Sequence, residues 1–122
     1  MAAVFGVSVS TPIFIFNQLK YSADNVLIKQ SLEVIKNWAE IDKVKRDSYA
    51  FIESDPEIIK KKGEIKKLGS AAEMHIGLNG KSFCAKVNFI GIQKNRLWCV
   101  DSSGYSGAVG QNCRPGNNPQ CR

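Results

Sequence analysis

The first sixteen residues of the chain carry no charged side chain, and this uncharged segment constrains the fold more than any other feature. As a helix, residues 1–16 would rise about 24 Å, which is short of the roughly 30 Å hydrocarbon core of a bilayer. The segment is therefore less than a full membrane span. An ordinary buried helix or strand is the alternative interpretation, because β-branched residues are common in it.

A long amphipathic helix is predicted to follow, over residues 17–44. No Gly or Pro occurs between Gln18 and Arg46, and helical spacing separates an apolar side from a charged side. With its uncharged lead-in this helix would approach about forty residues, long for a small domain. The remaining eighty or so residues cannot bury all of it, so we expect the start to pack on lipid or on other subunits. The apolar side comprises Leu19, Ala23, Val26, Ile28, Leu32, Ile35, Trp38 and Ala39, and the charged side Lys20, Asp24, Lys29, Glu33, Lys36 and Glu40.

The rest of the chain predicts a short helix and then an antiparallel sheet. Asp55, Pro56 and the later Gly69 are typical of the ends of a helix over residues 56–68. Alternating apolar residues then predict strands within 72–108, with a hairpin at Asn79-Gly80, a turn at 93–95 and a strand at 97–101. The predicted fold class is α+β: a long N-terminal helix on a three- to four-stranded antiparallel sheet. One sheet face would pack on the helix and the other would face water.

The four cysteines, Cys84, Cys99, Cys113 and Cys121, all lie in the last third of the chain. Their spacing does not suit a zinc site, so two disulfides and an oxidising compartment are expected. Cys84 and Cys99 would point out from the sheet, but the turn near residue 94 would set them out of register. Cys113–Cys121, closing a loop within 109–122, is the favoured bridge, although a sequence does not determine connectivity.

No motif indicates catalysis, a cofactor or a metal site. Gly80-Lys81-Ser82 lacks the first glycine of a phosphate-binding loop, because His75 stands at that position. His75 is expected to be an exposed strand residue, and residues 101–104 to form a turn with side chain to backbone bonds. We therefore expect a protein that is not an enzyme and has no cofactor.

Positive charge accumulates towards the C-terminus. From residue 71 onward six basic residues face only Glu73 and Asp101. Five of these side chains are candidates for contact with an anionic surface, namely Lys81, Lys86, Lys94, Arg96 and Arg114. They are spread singly, whereas nucleic-acid footprints are clustered, so nucleic acid is the less favoured partner.

Three stretches resemble the type IV pilin and pseudopilin family. The start, Met1 to Val7, looks like the second half of the apolar pilin helix, with Pro12 where that helix often carries a proline. Residues 30–40 (QSLEVIKNWAE) fall where pilins have their amphipathic half, and residues 98–107 (WCVDSSGYSG) are similar to a strand and turn of many bacterial pilin-like proteins. The family's processing signal, Gly-Phe-Thr-Leu-Ile-Glu, is absent, so part of the apolar helix is expected upstream of Met1.

The resemblance implies a structural subunit of a type IV pilus or a secretion pseudopilus. It would reside in the inner membrane as a prepilin, in contact with lipid and an assembly platform, and then join copies of itself or related pilins in an extracellular filament. Packing in the filament core would involve Val4, Phe5, Val7, Ile13 and Phe14. The alternatives are a small secreted disulfide-containing binding module and a DNA-binding minor pilin.

Overall fold

The computed structural model describes residue 20 and residues 22–91, 96–108 and 113–122 with their side chains; for residues 2–19, 21 and 109 it describes only the backbone of the helix or strand that contains them. The fold is α+β, as predicted: a long helix packs against a four-stranded antiparallel sheet of order β1-β2-β3-β4. The elements are α1 (Ala2–Arg46), α2 (Pro56–Lys67), β1 (Ala72–Ile76), β2 (Phe83–Asn88), β3 (Leu97–Asp101) and β4 (Ser106–Val109), with 3-10 turns at Ile52–Ser54 and Leu78–Gly80.

One narrow face of α1 reaches the core of the domain. Asn25, Ile28, Leu32, Ile35 and Ala39 are buried, and they follow one another at steps of three or four residues. Such steps bring side chains to the same side of a helix. The sheet and α2 therefore cover α1 on one side only, beginning at Asn25 among the described side chains.

Two parts of the predicted helix pattern are wrong. Ala23 and Val26 are exposed, because each is two residues from a buried position and so points to the other side of the helix. Four of the six residues expected on the solvated side are half-buried, namely Asp24, Glu33, Lys36 and Glu40, whereas Lys20 and Lys29 are exposed. The Lys36 ammonium donates to Ser106 Oγ (3.0 Å), and Glu40 accepts a hydrogen bond of 2.8 Å from the Tyr49 hydroxyl.

Helix α2 begins and ends with the residues that the sequence indicated. Asp55 Oδ1 accepts a hydrogen bond from the backbone N–H of Glu57 (2.8 Å), which satisfies one of the free donors at the start of the helix. Pro56 occupies the first turn, and Gly69 follows the helix with a φ of 103°, in the left-handed region. Ile58 and Ile65 are buried and attach the helix to the core.

The sheet is a meander, and its register determines which residues share a face. Cys84 lies opposite Asp101 in the β2–β3 pair, and Lys86 lies opposite Cys99. Strand β3 covers the residues that the sequence predicted for the third strand. The turn expected at 93–95, with Lys94, lies outside the described residues.

The connection between β1 and β2 is longer than the expected two-residue hairpin. Ile76 pairs with Phe83, so six residues join the strands, with Asn79 and Gly80 at φ values of 58° and 67°. The α1–α2 loop packs closely on this turn: Gly80 accepts from the Tyr49 N–H (2.8 Å), and a Cβ at position 80 would lie 1.9 Å from Ser48 Oγ. The turn is therefore shaped by a tertiary contact as well as by the Asn-Gly pair.

Asn25 fixes the position of α1 along the sheet. Its side chain donates to the Ile90 carbonyl (3.0 Å) and accepts from the Ile90 N–H (2.8 Å), so one residue satisfies both backbone groups of Ile90, just beyond the end of β2. The side chain is 6% exposed. Unsatisfied polar groups at such a site are costly, so this pair of bonds specifies one alignment of helix and sheet.

Asn25→Ala is expected to lower the free energy of unfolding by about 2 kcal/mol, because it leaves both backbone groups of Ile90 without their partner. Urea denaturation followed by circular dichroism measures the change. Asn37→Ala, at an exposed position of the same helix, is the matched control and should change stability by less than about 0.5 kcal/mol. Equal effects of the two substitutions would contradict the role given to Asn25.

Candidate functional site

The C-terminal segment, residues 113–122, is covalently attached to the two central strands. Cys84 is bonded to Cys113 and Cys99 to Cys121, with Cα–Cα distances of 5.6 and 5.8 Å. The expectation of two disulfides is confirmed. The favoured Cys113–Cys121 bridge is wrong, and Cys84–Cys99 does not form either.

The strand register explains this connectivity. Cys84 and Cys99 lie on the same sheet face, but Cys84 is opposite Asp101, two residues beyond Cys99. Diagonal positions of this kind are too far apart for a disulfide. Each strand cysteine is therefore left to pair with a cysteine of the C-terminal segment.

The second face of the sheet is consequently not open to water throughout, as the sequence had suggested. Cys84 and Cys99 are fully buried there, together with Cys113 and Cys121, and Tyr105 packs against this group. The segment's disulfides thus form a second small core, on the face opposite α1. Alternation of apolar residues could not predict it, because the covering segment has no regular secondary structure.

A buried carboxylate, Asp101, organises the junction between sheet and segment. It is 1% exposed. Its Oδ1 accepts from the Ser103 N–H (2.9 Å), the Ser103 hydroxyl (2.5 Å) and the Tyr105 N–H (3.2 Å), and its Oδ2 accepts from the Cys121 N–H (2.8 Å). The expected turn with side chain to backbone bonds is confirmed, and the same side chain also holds the C-terminal segment.

Two further hydrogen bonds fix the shape of the segment. The Cys113 N–H donates to the Gln120 carbonyl (2.9 Å), and the Leu78 N–H donates to the Asn117 carbonyl (3.0 Å). The second bond requires a glycine nearby: a Cβ at Gly77 would lie 2.7 Å from the Asn117 oxygen. The segment is thus held by the β1–β2 turn as well as by β2 and β3.

Helix α1 carries an exposed apolar stripe, formed by Val26, Leu27, Ile41 and Val44. Their exposed fractions are 51%, 49%, 40% and 85%. Val26 and Val44 point the same way, since eighteen residues make about five helical turns, and about 27 Å of helix separates them. The stripe is not continuous, because the exposed side chains of Gln30 and Asn37 lie on the same side of the helix between Leu27 and Ile41. It lies opposite the buried face of the helix. At its N-terminal end the stripe borders α2, since Leu27 lines a surface groove with Glu64 and Lys67 of that helix.

The basic candidates from the sequence do not form one cluster. Lys81 precedes β2 and Arg96 lies beyond its far end, where the backbone carbonyl of Arg96 accepts a hydrogen bond from the Phe89 N–H. About 20 Å of strand therefore separates the two residues. Lys86 is on the sheet beside Glu73, with its ammonium 3.7 Å from that carboxylate. Arg114 is on the C-terminal segment. Lys94 lies outside the described residues.

The filament-core candidates Val4, Phe5, Val7, Ile13 and Phe14 also lie outside the described side chains. Only the helical backbone that contains them is described. The packing proposed for them from the sequence therefore stays a prediction.

His75 is not the exposed residue that was expected. Its side chain is 17% exposed, and its Nε2 lies 2.9 Å from Glu73 Oε1, in a small polar group with Lys86. In the part of the chain that the structure describes, no group of three His, Cys, Asp or Glu residues has metal-binding geometry.

No protein-family model, curated protein or solved structure matches the chain. Among the described residues, no helix is both long enough and apolar enough to cross a membrane.

Two features that could matter for function were missed in the sequence. The sequence prediction places Val26 on the core side and Ile41 and Val44 on neither side, so it misses the outward stripe of α1. Helical spacing places Val26 and Val44 on one side, but the polar residues Gln30 and Asn37 between them obscure the pattern. The role of the C-terminal segment depends on disulfide pairing, for which the sequence carries no signal.

The pKa of Asp101 predicts a specific acid sensitivity. Burial by itself would raise this pKa, but the bonds from Ser103, Cys121 and Tyr105 outweigh it and hold the pKa below its ordinary value of 3.8. A carboxylate whose pKa is lower in the folded state stabilises the fold at any pH above its pKa in the unfolded state. This stability is lost as the pH falls from about 3.8 through the folded pKa. Asp101→Asn should lower stability at pH 7 by about 2 kcal/mol or more and remove this part of the acid dependence.

Thermal unfolding from pH 7 to pH 2, compared between the parent and Asp101→Asn, measures the effect. Asp42 affects stability over a different pH range and in the opposite direction. Burial and the neighbouring Asp55 raise its pKa from 3.8 to about 6. The contribution of Asp42 to stability grows as the pH falls from about 6 to 3.8. It cancels in the comparison because both proteins contain Asp42. If the two proteins lose stability in parallel below pH 3.8, the assignment to Asp101 is incorrect.

Proposed function

We propose that this chain is a structural subunit of a type IV pilus or secretion pseudopilus, which assembles by lateral packing of its long helices. The observation that carries the proposal is the apolar surface of α1 that its own domain leaves uncovered. The stripe from Val26 to Val44 faces away from the sheet, and the uncharged residues 1–16 precede it on the same helix. Exposed apolar residues that share one side of a helix are typical of an interaction site.

The architecture supports the same proposal. The helix is attached to a small α+β domain along one side, which leaves the opposite side for neighbouring subunits. Burial of apolar surface contributes about 25 cal/mol per Å², and an identical contact repeated by every subunit would stabilise a filament. The C-terminal segment lies on the sheet face opposite α1, so it would be directed away from such a helical core.

The resemblance in residues 98–107 adds a sequence argument. These residues contain Cys99, Asp101 and the turn that holds the C-terminal segment. These residues thus have a structural role in this chain, because they hold the C-terminal segment on the sheet. This role is consistent with a pilin-like domain. A membrane-inserted precursor and an extracellular filament are part of the proposal.

The test uses the full chain and the double substitution Val26→Gln/Val44→Gln. Both positions are exposed and Gln suits a helix, so the fold should be retained. We expect the parent to form elongated assemblies with rising concentration and the variant to require at least about tenfold more protein, which corresponds to about 1.4 kcal/mol per contact. Sedimentation velocity and negative-stain electron microscopy measure this.

Ile59→Gln is the matched control, since Ile59 is 53% exposed but lies on α2. It should assemble like the parent. A parent protein that stays monomeric at high concentration would favour the secreted binding module. Assemblies that tolerate the double substitution would show that the stripe is not the contact.

A further inference from the structure

Helix α2 runs antiparallel to α1, and this direction determines which end of the domain its lysines occupy. Asp55, at the start of α2, lines a surface groove together with Asp42 of α1. Lys67, in the last turn of α2, lines another groove together with Leu27, which lies about four turns earlier on α1. The C-terminal end of α2 therefore points back towards the N-terminus of α1.

The far end of β2 lies at the same end of the domain. The Ser70 hydroxyl, just after α2, donates to the Asn88 carbonyl at the end of that strand (2.5 Å). The next residue, Phe89, donates its N–H to the Arg96 carbonyl (2.9 Å), which brings Arg96 to this end as well. From here α1 continues towards the uncharged residues 1–16.

This end of the domain has a surplus of positive charge. Four of the exposed cationic side chains described there form what we call the basic end, namely Lys20, Lys66, Lys67 and Arg96. The Glu64 carboxylate on α2 is 2.9 Å from the Lys61 ammonium, and that of Glu73 on β1 is 3.7 Å from the Lys86 ammonium. Asp24 is the acidic residue of α1 at this level, so the cations of the basic end outnumber the described carboxylates around them.

Charge at the opposite end of the domain is mixed. The Lys43 ammonium lies 3.2 Å from the Asp47 carboxylate, and Lys45 interacts with Asp42 and Asp55. The charge of the domain is therefore distributed unevenly along α1, with a surplus at the end nearest to residues 1–16.

A structural role accounts for part of this charge. Lys66 and Lys67 complement the negative C-terminal end of the α2 dipole, as cations in a last turn usually do. This effect does not account for Lys20 and Arg96, which lie outside α2. Cations from three separate parts of the chain thus meet at one surface.

The basic end lies close to the plane at which residues 1–16 would leave a membrane. Helical rise places Lys20 about 6 Å and Leu27, the level of Lys67, about 16 Å beyond residue 16. The headgroup region of a bilayer is about 5–7 Å thick, and an extended lysine side chain spans about 6 Å. The ammonium groups of Lys66 and Lys67 can thus come within about 5 Å of the headgroups, inside the screening length of about 8–10 Å.

We propose that the basic end docks on the headgroups of anionic phospholipids, so that it holds the domain against the membrane in which residues 1–16 are inserted. The inference rests on the membrane-inserted precursor of the proposed function, and it adds the class of lipid and the residues that recognise it. Lipid is favoured over nucleic acid because the same helix begins with an uncharged segment. Apolar insertion combined with a basic surface is typical of membrane anchoring.

The test measures how the full chain partitions between buffer and vesicles of phosphatidylcholine, alone or with about 30% phosphatidylglycerol, over a range of lipid concentrations. Since each cation near an anionic surface contributes about fivefold, we expect at least about tenfold tighter binding to the vesicles with phosphatidylglycerol. High salt should remove this preference and leave binding to phosphatidylcholine unchanged. Equal binding to both vesicles at low salt, or no binding to either, would overturn the proposal.

Lys66→Gln/Lys67→Gln should weaken binding to the phosphatidylglycerol vesicles at least about fivefold and leave binding to phosphatidylcholine unchanged. Lys20→Gln/Arg96→Gln should have the same effect. The second variant leaves the last turn of α2 intact, so the proposal can still be tested if the first variant does not fold. Preferences equal to that of the parent in a folded variant would show that the basic end is not the contact.

Lys45→Gln/Lys81→Gln is the matched control, because it removes two positive charges from exposed positions at the opposite end of the domain. It should retain the preference of the parent for phosphatidylglycerol. If it weakens binding as much as the other variants, the effect is one of net charge and the proposal fails.

A second measurement locates the contact within the parent chain. A neutral acylating reagent should modify Lys66 and Lys67 at least about threefold more slowly on phosphatidylglycerol vesicles than on phosphatidylcholine, because the negative surface potential keeps their amines protonated. Lys45 and Lys81 should react equally on both. Equal slowing of all four lysines would contradict docking through one end.

Double-stranded DNA is the competing polyanion. If a short duplex binds more tightly than the phosphatidylglycerol vesicles and loses affinity with Lys66→Gln/Lys67→Gln, the basic end is a nucleic-acid site and the lipid assignment is wrong. The assembly test depends on Val26 and Val44 instead. Assembly without a lipid preference would overturn this inference alone, and a lipid preference without assembly would overturn the filament alone.

Discussion

The fold depends on the limited length of α1 that the small sheet can cover. Among the described side chains, buried positions on α1 run from Asn25 to Ala39, which is about 21 Å of helix. This is close to the length of β2, because Asn25 contacts Ile90 beyond one end of that strand and Glu40 bonds to Tyr49, which packs on Phe83 at the other end. Beyond that length a single-layer sheet offers no further surface. The bidentate contact between Asn25 and Ile90 selects which part of the helix is covered, and among the described residues the opposite side of α1 is left for solvent or for partners.

This geometry separates the molecule into two surfaces on opposite sides of the sheet. On one side lies the helix, whose outward stripe is apolar; on the other lies the C-terminal segment, which is polar and basic. Because the sheet stands between them, a change in one surface need not disturb the other. A protein that packs through its helix could thus vary its C-terminal segment freely.

Local residue patterns predicted the features that depend on residues close to one another along the chain. The caps of α2, the residues of β3 and the turn after Asp101 could be predicted because each depends on neighbours in sequence. The disulfide pairing, the burial of Cys84 and the shape of the β1–β2 turn could not, since they follow from where a distant segment lies. Val26 was misplaced for a related reason: its spacing fits two helix faces, and only the position of the sheet distinguishes them.

The two disulfides interleave along the chain, since Cys99 lies between Cys84 and its partner Cys113, and Cys121 lies beyond both. A pulling force applied between Cys84 and Cys121 would therefore pass through the Cys84–Cys113 bond and residues 113–121, the shortest covalent path between the two cysteines. This short path limits how far residues 84–121 can lengthen. Under tension the C-terminal segment would carry the load, and the two strands bonded to it would be protected from full extension.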